Sequence, residues 1–258
     1  MAIRFGPASW GSVTEGEETL EKYHKLGLRA SETPFTYAVY VKKEEDGRRI
    51  GKKARELGIV LSVHAPYFVN LNSLEKEKRE ASKKRILDSC RAGEWLGASV
   101  VVFHPGFYSK GGREKDFEMI KGEIKEMQEF IKKQEWRIKL APETMGKVNV
   151  FGSIEEIARL VRETGCSFCL DFAHILAREK KIDWERINEL FPQEKWHCHF
   201  SGIEYGEKGE RHHRTTKKEE WTELLRNLPG DKDIVIINES PTLVADSVEG
   251  LKLSKEFY

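Results

Sequence analysis

Cysteine is scarce in this chain: four residues among 258, at positions 90, 166, 169 and 198. Four scattered thiols do not make a disulfide framework, and they read as buried side chains. Cys166 and Cys169 have Cys-x-x-Cys spacing, but they fall in CSFCLDFAH, which reads as a strand. Residues three apart on a strand face opposite ways, so this pair is not expected to share a metal or a disulfide. Long apolar runs are also missing. Nothing approaches the roughly 18 residues of a membrane span, and the opening MAIRFGPASWG holds no apolar segment of the signal-peptide kind. A cytoplasmic protein with no membrane partner is expected. Neither sign of charge is in excess, since 44 Lys+Arg against 43 Asp+Glu leave +1. Bulk charge therefore gives no argument for nucleic acid, although a local basic face fits within a neutral whole. No Pro/Ser-rich linker or shift in composition divides the chain, and no GxGxxG or P-loop occurs. The dense Lys and Glu, with only 4 Met, lean towards a thermophile.

What is present is a repeat of short β-branched runs and charged amphipathic stretches. The runs are IRFGPAS, LRASETPF, VLSVHAPY, SVVVFHPG, RIKLAPET, CSFCLDFAH, KWHCHFSG and DIVIINES. The stretches between them, such as EETLEKYHKLG and IEEIARLVRETG, have helical period. Several end at a glycine (Gly27, Gly58, Gly97, Gly165), and Ser153 with Glu156 has capping-box spacing. Eight strand–helix units without a linker predict an α/β fold: a single-domain (β/α)8 TIM barrel over residues 1–258. An open doubly wound sheet is the competitor.

Six consecutive strands finish on an imidazole or a carboxylate: His64, His104, Glu143, Asp171 with His174, His199 and Glu239. In a barrel those ends converge on the mouth where active sites form. Crowded carboxylates and imidazoles repel and desolvate unless a cation sits among them. The nitrogen–oxygen mix suits zinc, manganese or iron rather than calcium. The segment HCHFSGIEYGEKGERHH adds Glu210 and His212, two residues apart, so that on an extended segment both face one way as a metal clip. Nine candidates imply about three metals if carboxylates bridge. His24 reads as surface on a helix. His197 shares a strand face with His199 and reads as a supporting residue. His213 is left facing solvent or a phosphate.

From about residue 60 to 241 these motifs occur in the order of a known family. HAPYFVNLNS, VVFHPG, PETMGKVNVFGS, CLDFAHILA, CHFSG, ERHH and INESP together resemble endonuclease IV, the three-zinc apurinic/apyrimidinic endonucleases of the xylose isomerase-like TIM barrel superfamily. The resemblance implies that His64 and His104 hold one zinc and that Glu143 bridges it to a second. Asp171, His199 and Glu239 would complete the second, and His174, Glu210 and His212 would hold the third. It implies zinc at about three ions per chain, with room for manganese at one site. It also implies a monomer acting on damaged double-stranded DNA in base excision repair. The reaction would be cleavage 5′ to an abasic site by in-line attack of hydroxide on phosphorus, with Glu143 orienting the nucleophile and no covalent protein intermediate.

Three departures stand out. The family usually has Asp at the position of Glu210. Tyr67 and Phe68 match part of the wedge that opens the DNA stack, but ETPFTYAVYV offers no match for the wedge arginine. The chain is also shorter than typical members. Among cations that could follow phosphates (Lys42, Lys43, Lys52, Lys53, Lys147, Arg211, Arg214), Arg211 and Arg214 rank first because they flank the Glu210/His212 clip. An alternative is a single-metal sugar isomerase or epimerase, for which Glu143, Asp171, His199 and Glu239 suffice and two glutamates move protons. The five further ligands discriminate against it. A non-catalytic DNA- or metal-binding barrel is the third reading.

Overall fold

A computed structural model describes residues 2–258. The chain runs β1 (Ala2–Pro7), α1 (Gly16–Lys25), β2 (Ala30–Pro34), α2 (Glu44–Glu56), β3 (Val60–His64), α3 (Lys76–Leu96), β4 (Val100–Phe103), α4 (Arg113–Lys133), β5 (Lys139–Pro142) and α5 (Ile154–Thr164). It continues with β6 (Leu170–Asp171), α6 (Phe172–Glu179), α7 (Trp184–Leu190), β7 (Lys195–Phe200), a hairpin of β8 (Gly202–Gly206) and β9 (Gly209–Arg214), α8 (Lys218–Asn227), β10 (Asp233–Asn238) and α9 (Leu243–Ser254). The expected TIM barrel is the fold observed.

Eight parallel strands make the ring. Two four-stranded sheets, β1-β10-β7-β6 and β2-β3-β4-β5, meet at two seams. At one, Arg29 N–H donates to the Phe5 carbonyl at 3.0 Å. Gly6 is required there, because a Cβ on it would lie 1.7 Å from the Ala30 carbonyl oxygen. At the other, Ser167 N–H donates to Leu140 O at 2.8 Å and Cys169 N–H to Pro142 O at 3.1 Å.

Strand parity separates two kinds of interior. Leu61, Val63, Val101, Phe103, Leu140, Leu170, Cys198 and Ile236 face the helices and join the main core. Val100, Val102, Ala141 and Cys169 form a separate small cluster on the opposite faces, inside the ring. Continuing those inward parities by two residues reaches His104, Glu143 and Asp171. The helices behave as their ends predict. Ser153 accepts from Glu156 N–H at 3.3 Å while Glu156 accepts from Ser153 N–H at 2.9 Å, a complete capping box on α5. Gly97 and Gly165 close α3 and α5 in the left-handed conformation. All four cysteines are buried and unpaired.

One element differs from expectation. CSFCLDFAH is not a single strand: regular pairing, with β7, covers only Leu170–Asp171, an isolated bridge joins Cys169 to Glu143, and α6 starts at Phe172. The Asp171 carboxylate accepts from His174 N–H at 2.8 Å, so it caps the helix and ends the strand. His174 therefore stands in the first turn of a helix rather than on a strand.

Candidate metal centre

The inward strand ends meet at the C-terminal mouth. Glu143 is at the centre, with side-chain exposure of only 1%. Its Oε2 lies 3.3 Å from His64 Nε2 and 3.0 Å from His104 Nε2. Its Oε1 lies 3.1 Å from His199 Nδ1 and 3.5 Å from His174 Nδ1. The Glu239 carboxylate approaches His199 Nδ1 at 3.5 Å, and Glu210 approaches His174 Nε2 at 3.4 Å. Three groups at the mouth have donor atoms mutually within 4.8 Å: His64, His104 and Glu143; Glu143, Asp171, His199 and Glu239; and Asp171, His174 and His213; a fourth, Cys169, His197 and His199, lies deeper in the ring. The first two groups are those the family resemblance implied.

The third group differs. His212, expected as a ligand, is exposed, whereas His213 is half-buried with its ring 5.3 Å from that of His174. The cause is a β-bulge. Across the hairpin His212 pairs with Glu204, but Glu210 pairs with the next residue, Tyr205, so Arg211 is the extra residue. Strict alternation would put Glu210 and His212 on one face. The bulge shifts parity by one, so Glu210 and His213 share the inner face and His212 turns out to solvent.

Each of four imidazoles is held through one nitrogen. His64 Nδ1 lies 2.7 Å from Ala65 O, His174 Nδ1 3.0 Å from Thr144 O, and His213 Nδ1 2.6 Å from Ser201 Oγ. His199 Nε2 lies 2.9 Å from Glu32 Oε1, in electrostatic contact rather than aligned as a hydrogen bond. Anchoring one ring nitrogen and leaving the other for a cation is the usual support of a metal-binding histidine. The buried Oδ2 of Asp171 has no hydrogen-bond partner. This orphaned carboxylate oxygen and the N/O donor set fit a divalent metal.

Electrostatics agree. Burial would raise the Glu143 carboxyl, but the imidazoles of His104, His174, His199 and His64 outweigh it and hold it well below the usual carboxylate range. Burial would lower His174, but Asp171, Glu143 and Glu210 hold it well above the ordinary imidazole value. Burial likewise opposes protonation of His199, and Cys169, Glu32 and Glu239 overcome it. Asp171 is pushed up, chiefly by burial. The cluster thus gathers positive charge onto its imidazoles, a role a metal fills when bound.

Glu32 was not among the expected site residues. It is fully buried on β2, with Oε2 3.0 Å from His197 Nε2 and accepting from Ser62 Oγ–H at 2.7 Å. His197 lies below His199, as its parity indicated. The one sequence signal for Glu32 is a carboxylate inside a strand run, ASETP. His24 is half-buried rather than on the surface, with Nδ1 2.9 Å from Leu57 O.

The mouth opens into a cavity of about 320 Å³ whose lining includes Tyr67, His104, Phe107, Lys147, His213 and Glu239. Tyr67 is 47% exposed and stacks on His104 at 5.5 Å between centroids. Phe68 is 64% exposed and stacks on Tyr37 at 6.1 Å. Arg211 is exposed and forms no ion pair among the described residues. Arg214, expected to be free for phosphate, is engaged instead: it binds Glu204 at 2.8 Å and Glu220 at 2.6 Å, and so ties the hairpin to α8. Lys53 is likewise paired with Glu21 at 2.8 Å.

The profile of the xylose isomerase-like TIM barrel family matches residues 20–257, and the chain belongs to that family. Among its relatives, an uncharacterized protein of Methanocaldococcus jannaschii is 34% identical, the match covering 99% of this chain and 98% of that protein. A probable endonuclease 4 of Mycobacterium leprae is 29% identical over 157 residues, 58% of this chain and 60% of that protein. Two solved structures show the shared fold. Endonuclease IV of Thermus thermophilus superposes with a TM-score of 0.70 at 20% identity, covering 100% of this chain and 98% of that one. D-psicose 3-epimerase of Clostridium cellulolyticum superposes with a TM-score of 0.71 at 15% identity, covering 100% and 99%. Among the described residues no helix is long and apolar enough to cross a membrane.

Proposed function

We propose that this chain is a multinuclear metal-dependent phosphodiester hydrolase that cleaves damaged DNA 5′ to abasic sites. The observation that carries this reading is the surplus of donors. A four-residue set around Glu143, Asp171, His199 and Glu239 would satisfy one metal, yet His64, His104, His174, Glu210 and His213 converge on the same mouth. About three divalent ions, zinc by ligand type, fit nine donors. Bound there, they supply Lewis acidity towards phosphoryl oxygens and make hydroxide available near neutral pH.

The protein groups have separable tasks. Glu143 faces two donor groups through its two oxygens and stays ionised, so it orients the attacking water and accepts its proton's hydrogen bond. Lys147 in the cavity lining and Arg211, exposed on the hairpin beside Glu210, offer unpaired positive charge for the flanking phosphates. Tyr67 and Phe68 present exposed rings that can fill a gap in a base stack. The likeness to proteins named endonuclease 4 supports the same reading.

The second reading is a one-metal ketose epimerase. It is favoured by the compact Glu143–Asp171–His199–Glu239 group and by the fold shared with D-psicose 3-epimerase. Elemental analysis of protein purified without a histidine tag or added metal decides first. About three ions per chain, followed by cleavage of an abasic-site duplex, supports the nuclease. One ion per chain that zinc titration does not increase, with epimerisation of a ketose, overturns it.

A further inference from the structure

Partly buried cations in this chain have protein partners. Arg79 pairs with Glu123, Lys83 with Glu80, Glu123 and Glu126, Arg159 with Glu114 and Glu163, and Arg214 with Glu220. Arg85, half-buried on α3, is different: among the described residues its guanidinium has no hydrogen bond and no ion pair. An unpaired, partly desolvated charge is costly, and it makes physical sense where a partner outside the chain supplies the counter-charge.

Arg85 lines a cavity of about 320 Å³ between the β2–α2 loop and α3, together with Tyr37, Lys42, Asp88, Arg91 and Trp95. Lys42 is exposed and also unpaired among the described residues. The one carboxylate in the lining, Asp88, is already held by Lys84 at 2.6 Å and Arg91 at 3.2 Å. The cavity is therefore cationic, with two free positive charges. At its edge Tyr37, 77% exposed, stacks on Phe68, whose neighbour Tyr67 lies against His104. The adjacent residues Tyr67 and Phe68 thus place one ring against the metal centre and the next beside this cationic cavity.

We propose that the cavity is a binding track for an unpaired nucleic-acid strand. Arg85 and Lys42 take successive phosphates, and a base stacks on the Tyr37–Phe68 pair. This rests on the nuclease reading and extends it, because exposed ring faces recognise unpaired bases whereas duplex needs only phosphate contacts. The substrate would then carry a single-stranded flank beside the cleaved bond.

The test is fluorescence anisotropy of the metal-loaded full chain with a labelled, lesion-free oligonucleotide of nuclease-resistant phosphorothioate linkages. The oligonucleotide is used single-stranded and as a duplex, across a salt series. Tyr37→Ala is expected to weaken single-strand binding roughly 5- to 150-fold, the stacking of one base, and to leave duplex binding unchanged. Arg85→Ala with Lys42→Ala should flatten the single-strand salt slope by about 1.4, or about 0.7 per phosphate contact. Thermal melting checks that each variant is folded, and losing the unpaired Arg85 should not lower it. Wild-type binding that the variants leave unchanged overturns the track and spares the nuclease reading. Binding of duplex in preference to single strand does the same. A wild-type protein that binds neither form also overturns the track, and the nuclease reading is then decided separately by cleavage of the abasic-site duplex.

Discussion

Removing the Glu32 carboxylate gives a direct measure of what lies beneath the metal centre. Glu32 sits between His197 at 3.0 Å and His199 at 2.9 Å and accepts from Ser62 at 2.7 Å, out of reach of water. Burial alone would raise its pKa, but the two imidazoles outweigh burial and hold it well below the usual carboxylate range. Glu32→Leu keeps the volume roughly filled, leaves the His197 imidazole and the Ser62 hydroxyl without their acceptor, and strips His199 of its counter-charge. Breaking a buried ionic arrangement by deleting one member costs about 3–5 kcal/mol. In a chain of this size that lowers the melting midpoint by roughly 6–20 °C. Releasing the anchored nitrogen of His199 should also weaken metal binding about 10- to 100-fold, read by competition with a chromophoric chelator. Glu32→Leu combined with His197→Leu should recover part of the lost stability, since the second change removes a stranded polar group. The reasoning fails if Glu32→Leu melts within about 2 °C of the wild type and keeps its metal against the same chelator, for then Glu32 only fills space.

Other tests follow from the same geometry. His213→Ala should lose about one metal ion per chain by elemental analysis while His212→Ala keeps all of them, and the reverse pattern would contradict the bulged register. Glu143→Gln should reduce cleavage to background and lower metal stoichiometry, because four imidazoles lose their common anion; full activity would remove Glu143 from the mechanism. pH separates the metal-free and metal-loaded forms. Despite burial, Asp171, Glu143 and Glu210 raise His174, and Cys169, Glu32 and Glu239 raise His199, above the ordinary imidazole value. At these two groups the folded state therefore binds more protons than the unfolded, outnumbering the single opposite imidazole shift at His197, which burial lowers. That stabilisation is complete below about pH 6.5 and is lost as pH climbs through the raised values. Chelator-treated protein should therefore melt lower at about pH 9 than at about pH 6, while metal-loaded protein gains over the same interval because deprotonated imidazoles bind metal. Parallel melting curves with and without chelator would refute this.

The legible parts of the fold and site follow from strand parity. SVVVFHPG and RIKLAPET place His104 and Glu143 two residues beyond Val102 and Ala141, so periodicity alone orients them inward. Gly97 and Gly165 end helices for a local backbone reason that needs no tertiary information. What stayed hidden depends on relations between segments. His213 faces inward because of how β9 pairs with β8, and nothing in ERHH announces the bulge. Arg214 is occupied by Glu204 and Glu220, one of them across the hairpin. Glu32 matters only because β7 brings His197 and His199 to it. Asp171 ends a strand and begins a helix, a dual use that a one-state reading of CSFCLDFAH merges.

The extra residue at Arg211 has a consequence for how such sites diversify. Deleting Arg211 would leave Glu210 opposite Tyr205, His212 opposite Glu204 and His213 opposite Ile203, the same partners as now. The inward pair would survive with its interval along the chain shortened by one. Position 211 is thus a frame-shifting spacer: its own side chain serves the outer surface, and its gain or loss leaves the chemistry of the inner surface unchanged. Any pattern that recognises this clip by a fixed interval will select the wrong histidine wherever the spacer is gained or lost. Homologous chains are better aligned here by which face each residue occupies than by counting along the strand.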